Sequence, residues 1–156
     1  MVSPFIEAIK KKPILADGAI GTLLYQRGAS PEAGFEHLNL INKDLVQQIH
    51  VDYLESGAEL ITTNSFSANK FKLQTFGIDK EVWNINVWAA KIARNAREIA
   101  GHPAFVAGSV GPTGKLLAPI GDTKPEDLFG AFREQMDGLL AGGVDLFIIE
   151  TMSSIE

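Results

Sequence analysis

Four polar side chains of this chain stand at the ends of short apolar stretches, where a buried strand would finish. Two of them are carboxylates, one is an amide and one is a hydroxyl. Because the carboxyl ends of parallel strands meet at one edge of a sheet, four such ends predict one site. A pair of carboxylates at such an edge can hold a cationic group or work as acid and base. The four residues are Asp17, Asn64, Ser109 and Glu150.

A glycine-containing turn follows the first carboxylate. Asp17-Gly18-Ala19-Ile20-Gly21-Thr22 comes directly after Ile14-Leu15-Ala16, and its two glycines allow the backbone to bend sharply beneath a bound group. Taken alone, this hexapeptide also fits an ordinary strand-to-helix turn. The recurrence of polar strand ends later in the chain favours a binding site that includes Gly18.

Four near-continuous apolar runs predict fully buried parallel strands, since a strand covered on both faces does not alternate. A long helical pattern separates each pair of runs, so the predicted order is β-α-β-α-β-α-β. The predicted strands are Ile14 to Ala16, Leu60 to Thr63, Phe105 to Ala107 and Leu146 to Ile149.

The three helices are predicted from apolar residues that recur at steps of three and four. The first follows Asn42, a candidate cap, and ends before Gly57. The second ends before Gly101, and the third has Pro125 in its first turn. The apolar stripe of the second helix is predicted to be Val82, Ile85, Ala89, Ile92, Ala96 and Ile99.

Two eight-residue segments share one pattern. Gly57 to Asn64 and Gly143 to Glu150 each run from a helix stop through an acidic residue and an apolar strand to a polar end. The last residues of the two segments should therefore occupy equivalent places at one edge of the sheet. The loops 28–40 and 65–80 on that edge are long, which is typical of substrate sites.

The composition excludes several classes of protein. The chain has 156 residues and a net charge of -5 without a basic stripe, so no nucleic-acid partner is predicted. No apolar run approaches the roughly 20 residues that span a bilayer, and Met1 to Pro13 lacks the charge order of a signal peptide. We therefore expect a cytoplasmic protein with no membrane partner. The absence of cysteine excludes disulfides and thiolate chemistry by these residues.

The spacing of the strands points to half of a larger fold. The predicted strands begin at residues 14, 60, 105 and 146, and eight strands at that spacing would need about twice the present length. That length is near or above the ~250 residues typical of a (β/α)8 barrel. We interpret residues 1–156 as the N-terminal half of a (β/α)8 TIM barrel domain, covering about the first four β/α units. An open four-stranded parallel sheet is the alternative.

Five motifs, in order, resemble the N-terminal half of the homocysteine S-methyltransferase domain family. That family includes the homocysteine-binding module of methionine synthase, the betaine-homocysteine methyltransferases and bifunctional proteins that also carry a methylenetetrahydrofolate reductase. The similarity covers essentially the whole chain. The motifs are Asp17-Gly18-Ala19-Ile20-Gly21-Thr22, His37-Leu38-Asn39-Leu40, Thr62-Thr63-Asn64-Ser65-Phe66, Gly108-Ser109-Val110-Gly111-Pro112 and Gly142-Gly143-Val144-Asp145-Leu146 through Glu150-Thr151.

The resemblance implies a (β/α)8 barrel that transfers a methyl group to homocysteine, held as a thiolate on Zn²⁺, to give methionine. It places Asp17 and Glu150 near the amino group of homocysteine, with Gly18, Asn64 and Ser109 around the same pocket. The family's zinc ligands are three cysteines that lie later in its sequences, and this chain contains none. We therefore expect the zinc ligands to lie outside this chain and the isolated chain to be inactive.

The resemblance does not select the methyl source, which leaves methyltetrahydrofolate with cobalamin, betaine and S-methylmethionine open. The three histidines, His37, His50 and His102, have no spacing that would bring two of them to one metal. The apolar strand edges of a half barrel would also allow self-association.

Two other classes of function remain open from the residues alone. The chain could be a complete small α/β protein that binds an amino acid or regulates without catalysis. It could also be another (β/α) barrel enzyme, such as a lyase that uses Asp17 and Glu150 as acid and base. The coding sequence after Glu156 would discriminate, because adjacent cysteines further along favour the methyltransferase.

Overall fold

A three-stranded parallel sheet with the strand order β1-β2-β3 forms the centre of the computed structural model, which describes residues 3–153. The predicted α/β class with a parallel sheet is thereby confirmed. The strands are β1 (Leu60–Thr62), β2 (Phe105–Val110) and β3 (Leu146–Ile149). The helices are α1 (Pro4–Ile9), α2 (Ile20–Gln26), α3 (Leu38–Ile41), α4 (Lys43–Glu55), α5 (Lys70–Gln74), α6 (Val82–Ala100) and α7 (Pro125–Gly142), with 3-10 turns at Pro31–Ala33, Phe35–His37 and Asp79–Glu81.

The three long helices lie where the sequence predicts them. The helices α6 and α7 end at Gly101 and Gly143, whose φ angles of 66° and 93° suit glycine at a helix C-terminus. Pro125 occupies the first turn of α7 as predicted. Asn42 does precede α4, but its side chain makes no capping hydrogen bond, so that part of the prediction is wrong.

The prediction of a fully buried strand at residues 14–16 is wrong. Only Ala16 forms a bridge, to Leu60, and Leu15 is 59% exposed. The backbone N–H of Leu15 donates a hydrogen bond of 3.4 Å to Oε2 of Glu59. No strand within residues 3–153 pairs with this stretch on the side away from β1. The backbone N–H of Asp17 still donates to the carbonyl of Leu60 at 2.9 Å, so Asp17 remains aligned with the end of β1.

The strand β3 is half-buried rather than fully buried, which also differs from the prediction. Its last residue, Ile149, is 63% exposed. The reason is its place at the edge of the sheet, where β2 is its only neighbour among the described strands. Ser109 lies inside β2 and not beyond its end, because β2 continues to Val110 in register with Ile149.

Alternation along the strands separates the two faces of the sheet. Ile61 and Val106 point to α4 and α6, where they pack with Val51, Leu54, Ala93 and Ala96. Thr62 and Ile148, one position out of phase, line a cavity on the opposite face. At the end of α6 the buried stripe continues through Ala96 to Ala100, which leaves Ile99 61% exposed, contrary to the prediction.

Glycines fix how closely α7 approaches α6. A Cβ atom at Gly142 would lie 2.5 Å from the Cβ of Ala90 and 2.6 Å from the carbonyl oxygen of Val87. At Gly138 it would lie 3.0 Å from the Cβ of Asn86. The missing side chains therefore let the two helix backbones come close, and this contact sets the position of the residues that α7 sends toward the sheet.

The helix α1 lies at the amino end of the strands. The ring of Phe5 packs edge-on against Phe105, the first residue of β2, with ring centroids 5.3 Å apart. This contact leaves the carboxyl end of the sheet as the open end. Within residues 3–153 no helix combines the length and the apolar character that a bilayer crossing requires.

Candidate functional site

A cavity of about 770 Å³ opens at the carboxyl ends of the strands. Its walls are the turn after Ala16, the loop residues 31–36, the segment after β1 and the ends of β2 and β3. All five residues predicted from the sequence line it, namely Asp17, Gly18, Asn64, Ser109 and Glu150. Its other charged lining residues are Glu36 and Lys72, so three carboxylates face one cation.

Asp17 is held against the end of β1. Its Oδ2 accepts a hydrogen bond of 2.8 Å from the backbone N–H of Thr62, and its Oδ1 accepts one of 3.1 Å from the Thr62 hydroxyl. Burial, and to a smaller extent the negative charge of Glu150, raise the pKa of Asp17 from 3.8 to about 6, against the lowering effect of those hydrogen bonds. Asp17 therefore carries a proton more readily than an exposed aspartate, and a cation beside it would favour its ionised form.

Glu150 is oriented by the neighbouring strand. The Ser109 hydroxyl donates to its Oε1 at 2.7 Å, and the N–H of Glu150 donates to the carbonyl of Val110 at 3.1 Å. The N–H of Ser109 in turn donates to the hydroxyl of Thr63 at 3.1 Å. A chain of hydrogen bonds thus runs from the end of β1 through β2 to the carboxylate after β3.

Asn64 lies at the predicted place, but the Nδ2 atom of its amide group is bonded to the protein. The Nδ2 atom donates to the carbonyl of Phe35 at 2.8 Å and to Oδ1 of Asn39 at 3.0 Å. Asn64 is only 6% exposed. It therefore joins the segment after β1 to the loop that forms the far wall of the cavity.

Gly18 lies close to the side chain of a neighbouring tyrosine. A Cβ atom at this position would lie 2.9 Å from the hydroxyl oxygen of Tyr53, which itself donates to the carbonyl of Ala19 at 3.3 Å. Burial raises the pKa of Tyr53, and the charge of Asp17 adds to that shift. The glycine thus lets the turn pack directly on Tyr53 beside Asp17.

Glu36 is a cavity residue that the sequence reasoning did not identify. Its Oε1 accepts a hydrogen bond of 2.9 Å from the N–H of Ser67, and the residue is 8% exposed. Burial raises the pKa of Glu36, while its hydrogen bonds and the charge of Lys72 oppose that shift. Its position directly before the motif that begins at His37 was the available signal.

The donor groups present do not fit a zinc site. The chain has no cysteine, and residues 3–153 contain no group of three or more His, Asp or Glu side chains placed to hold a metal ion. His50 is fully buried in α4, where burial lowers its pKa to about 4, and neither of its ring nitrogens has a partner among the described residues.

Comparison with known proteins found relatives that match nearly all of this chain. The chain is 30% identical to the methionine synthases of Mycobacterium leprae (strain TN) and Mycobacterium tuberculosis (strain ATCC 25618 / H37Rv) over 161 residues, which cover 96% of this chain and 13% of each relative. It spans about an eighth of their length.

Solved structures of a homocysteine methyltransferase have the same fold over this region. The metallated form of MmuM from Escherichia coli superposes with a TM-score of 0.80 at 29% identity, covering 96% of this chain and 58% of that one. The oxidized form gives 0.79 at 27% identity, with 94% and 56% covered. Residues 14–156 match the sequence profile of the family described as Homocysteine S-methyltransferase. This chain therefore belongs to the homocysteine S-methyltransferase family.

Proposed function

We propose that these residues bind the amino-acid end of homocysteine in an enzyme that methylates the homocysteine sulfur to give methionine. The observation that carries the proposal is the convergence of Asp17 and Glu150 on one cavity, close enough for the charge of one to raise the pKa of the other. Two carboxylates that repel each other in the empty cavity gain most from a cation placed between them. The ammonium group of an amino acid is such a cation.

The other cavity residues have supporting roles in this proposal. Ser109 holds Glu150 through its 2.7 Å hydrogen bond, and Thr62 holds Asp17 through two contacts. Both carboxylates are therefore oriented before the ligand binds, which reduces the loss of conformational entropy on binding. Gly18 and Asn64 shape the walls and make no contact that a ligand would have to displace.

We also propose that residues 1–156 form the N-terminal half of a (β/α) barrel domain. Two observations support this: the chain covers 58% of the MmuM chain, and exposed apolar residues lie on both sides of the described sheet, Leu15 beside β1 and Ile149 at the end of β3. A barrel would cover both edges with further strands. A second copy of this chain is the other way to cover them.

The zinc that the family resemblance implies has no fitting donor set among residues 3–153, and the sequence contains no cysteine. The methyl source, whether methyltetrahydrofolate through cobalamin or another donor, is also not assigned to these residues. The family match does not favour the alternatives of a non-catalytic binding protein or a lyase. We expect the enzyme to act in the cytoplasm.

The proposal is tested on the natural gene product that contains these residues. We expect it to form methionine from homocysteine with at least one of S-methylmethionine, betaine or methyltetrahydrofolate with cobalamin, detected by mass spectrometry. An Asp17→Asn/Glu150→Gln double variant should lose this activity at low homocysteine concentration. Absence of methionine formation with every donor, together with absence of homocysteine binding by calorimetry, would contradict the proposal.

A further inference from the structure

The segment 64–68 follows β1, and its residues 64–67 line the cavity. Buried amide side chains from the helices hold this segment by hydrogen bonds to its backbone. Nδ2 of Asn39 donates to the carbonyl of Asn64 at 2.7 Å, and Nδ2 of Asn86 donates to the carbonyl of Ala68 at 2.8 Å. Nε2 of Gln135 donates to the carbonyl of Ser65 at 2.7 Å. All three amide side chains are fully buried. The carbonyl groups of Asn64, Ser65 and Ala68 are therefore turned toward the helices.

Gln135 differs from the other two amides in its large sequence separation from the carbonyl that it binds. It lies on α7, 70 residues from Ser65 in sequence, and reaches it because Gly138 and Gly142 allow α7 to pack closely on α6. Its second polar atom, Oε1, is buried and has no hydrogen-bond partner among the described residues. Burial of an unsatisfied acceptor is costly, so this glutamine adds less to stability than a fully bonded amide would.

The hydrogen bond from Gln135 and one of 3.0 Å from the N–H of Ala68 hold the same carbonyl, that of Ser65, and together they fix the peptide group that contains the next N–H. The carbonyl of Ser65 and the N–H of Phe66 belong to one planar trans peptide group and so point in opposite directions. Since the carbonyl is turned to α7, the N–H of Phe66 points away from α7, and it has no acceptor among residues 3–153. Phe66 lines the cavity. The carbonyl of Phe66 is itself held by the N–H of Gly111 at 3.0 Å, which fixes the following peptide.

We propose that Gln135 is a positioning residue, which turns the Phe66 N–H into the cavity as a hydrogen-bond donor for the carboxylate of the bound amino acid. This inference rests on the proposed function. The carboxylate and ammonium groups of the ligand then have separate partners, with the ammonium at Asp17 and Glu150. A donor fixed before binding favours an anion in a cavity whose own charge is otherwise mostly negative.

A ligand pair tests the role of Gln135 directly. Gln135→Met keeps the length of the side chain and removes the donor, and it also removes the unpaired acceptor. The natural gene product and this variant are titrated by calorimetry with homocysteine and with 3-aminopropanethiol, which has the same thiol and amine and no carboxylate. We expect about a ten-fold or greater loss of affinity for homocysteine, and a change below about two-fold for 3-aminopropanethiol.

A matched control separates positioning from general loss of stability. Leu139→Val removes buried volume one turn later on α7, where the side chain packs in a cluster with Ala89, Ala90 and Val110. This variant should lower the melting temperature and leave the preference for homocysteine over 3-aminopropanethiol unchanged. If Gln135→Met does not fold, Gln135→Leu is measured in its place.

The outcomes distinguish this inference from the proposed function. Wild-type affinity for homocysteine in the Gln135 variant, or an equal loss for both ligands, would overturn the positioning role while the proposed function stands. Failure of the wild-type protein to bind homocysteine would overturn both.

Discussion

The hydroxyl of Ser109 donates a hydrogen bond of 2.7 Å to Oε1 of Glu150, and so joins β2 to the residue that follows β3. The N–H of the same serine donates to Thr63 after β1. Three strand ends are therefore connected by polar contacts within one cavity. A carboxylate held in this way keeps its orientation in the absence of a ligand.

Ser109→Ala should weaken homocysteine binding by about three- to ten-fold, because Glu150 loses the hydrogen bond that orients it. We expect the free energy of unfolding to fall by about 1 kcal/mol. Calorimetric titration and urea denaturation measure the two effects. Ser56→Ala, which removes a hydroxyl contact to the carbonyl of Asp52 outside the cavity, is the control and should leave homocysteine affinity unchanged. An unchanged affinity in Ser109→Ala would show that this contact does not serve binding.

Homocysteine affinity should fall as the pH drops through about 6. The pKa of Asp17 is raised to about 6 by burial, so this side chain becomes neutral below that pH and attracts an ammonium group less strongly. Bound ammonium lowers the pKa, so binding at pH 5.5 should also release protons from the protein. Titrations from pH 5 to 8 in buffers of different ionisation enthalpy measure both effects. Asp17→Asn should remove this part of the pH dependence, and persistence of the same slope in that variant would assign the titration to another group.

Asp17→Asn should also stabilise the unliganded protein at neutral pH, by about 1 kcal/mol. The folded-state pKa of about 6 lies above the ordinary value of 3.8, so the folded state binds the proton more tightly. Stability therefore falls as the pH rises from about 4 to 6, and the ionised carboxylate is unfavourable at pH 7.5. Urea denaturation of both proteins at pH 4 and pH 7.5 should show a gain for the variant only at the higher pH. A loss of stability at pH 7.5 would mean that the contacts to Thr62 outweigh burial.

The order of the elements could be predicted because buried strands and amphipathic helices leave simple periodic patterns. The ends of α6 and α7 at Gly101 and Gly143 and the bounds of β3 follow directly from such patterns. The convergence of Asp17 and Glu150 was also predictable, since parallel strands bring their carboxyl ends to one edge. The side chains that follow each strand end can therefore be predicted from the local sequence.

The sequence-based predictions fail where burial or hydrogen bonding depends on residues that are distant in sequence. The burial of Leu15 depends on whether another strand pairs with residues 14–16 on the side away from β1. An apolar run in the sequence does not indicate whether such a strand is present. No sequence pattern indicates the role of Gln135, because its hydrogen-bond partner is a backbone carbonyl 70 residues away. Glu36 was missed because a loop glutamate is usually exposed, and only the fold brings Ser67 to its carboxylate.

The purified 156-residue chain should bind no stoichiometric zinc and should not methylate homocysteine with any donor. The reason is that it has no cysteine, and its described residues offer no group of three His, Asp or Glu ligands. Elemental analysis after dialysis and a methionine assay check the two statements. About one tightly held zinc ion per chain would contradict the first, and methionine formation would contradict the second.

One comparison of ligands tests directly whether Asp17 and Glu150 bind the ammonium group. Homocysteine and 4-mercaptobutyrate differ only in the amino group, and calorimetry on the zinc-loaded natural gene product measures the preference between them. We predict that Asp17→Asn and Glu150→Gln each reduce homocysteine affinity by about ten- to a hundred-fold, and raise its KM, while affinity for 4-mercaptobutyrate and for zinc does not fall. Asp145→Asn, at the opposite end of β3, is the control of equal charge change. If both cavity variants keep the wild-type preference for homocysteine, the two carboxylates do not bind the ammonium group and the central claim is wrong.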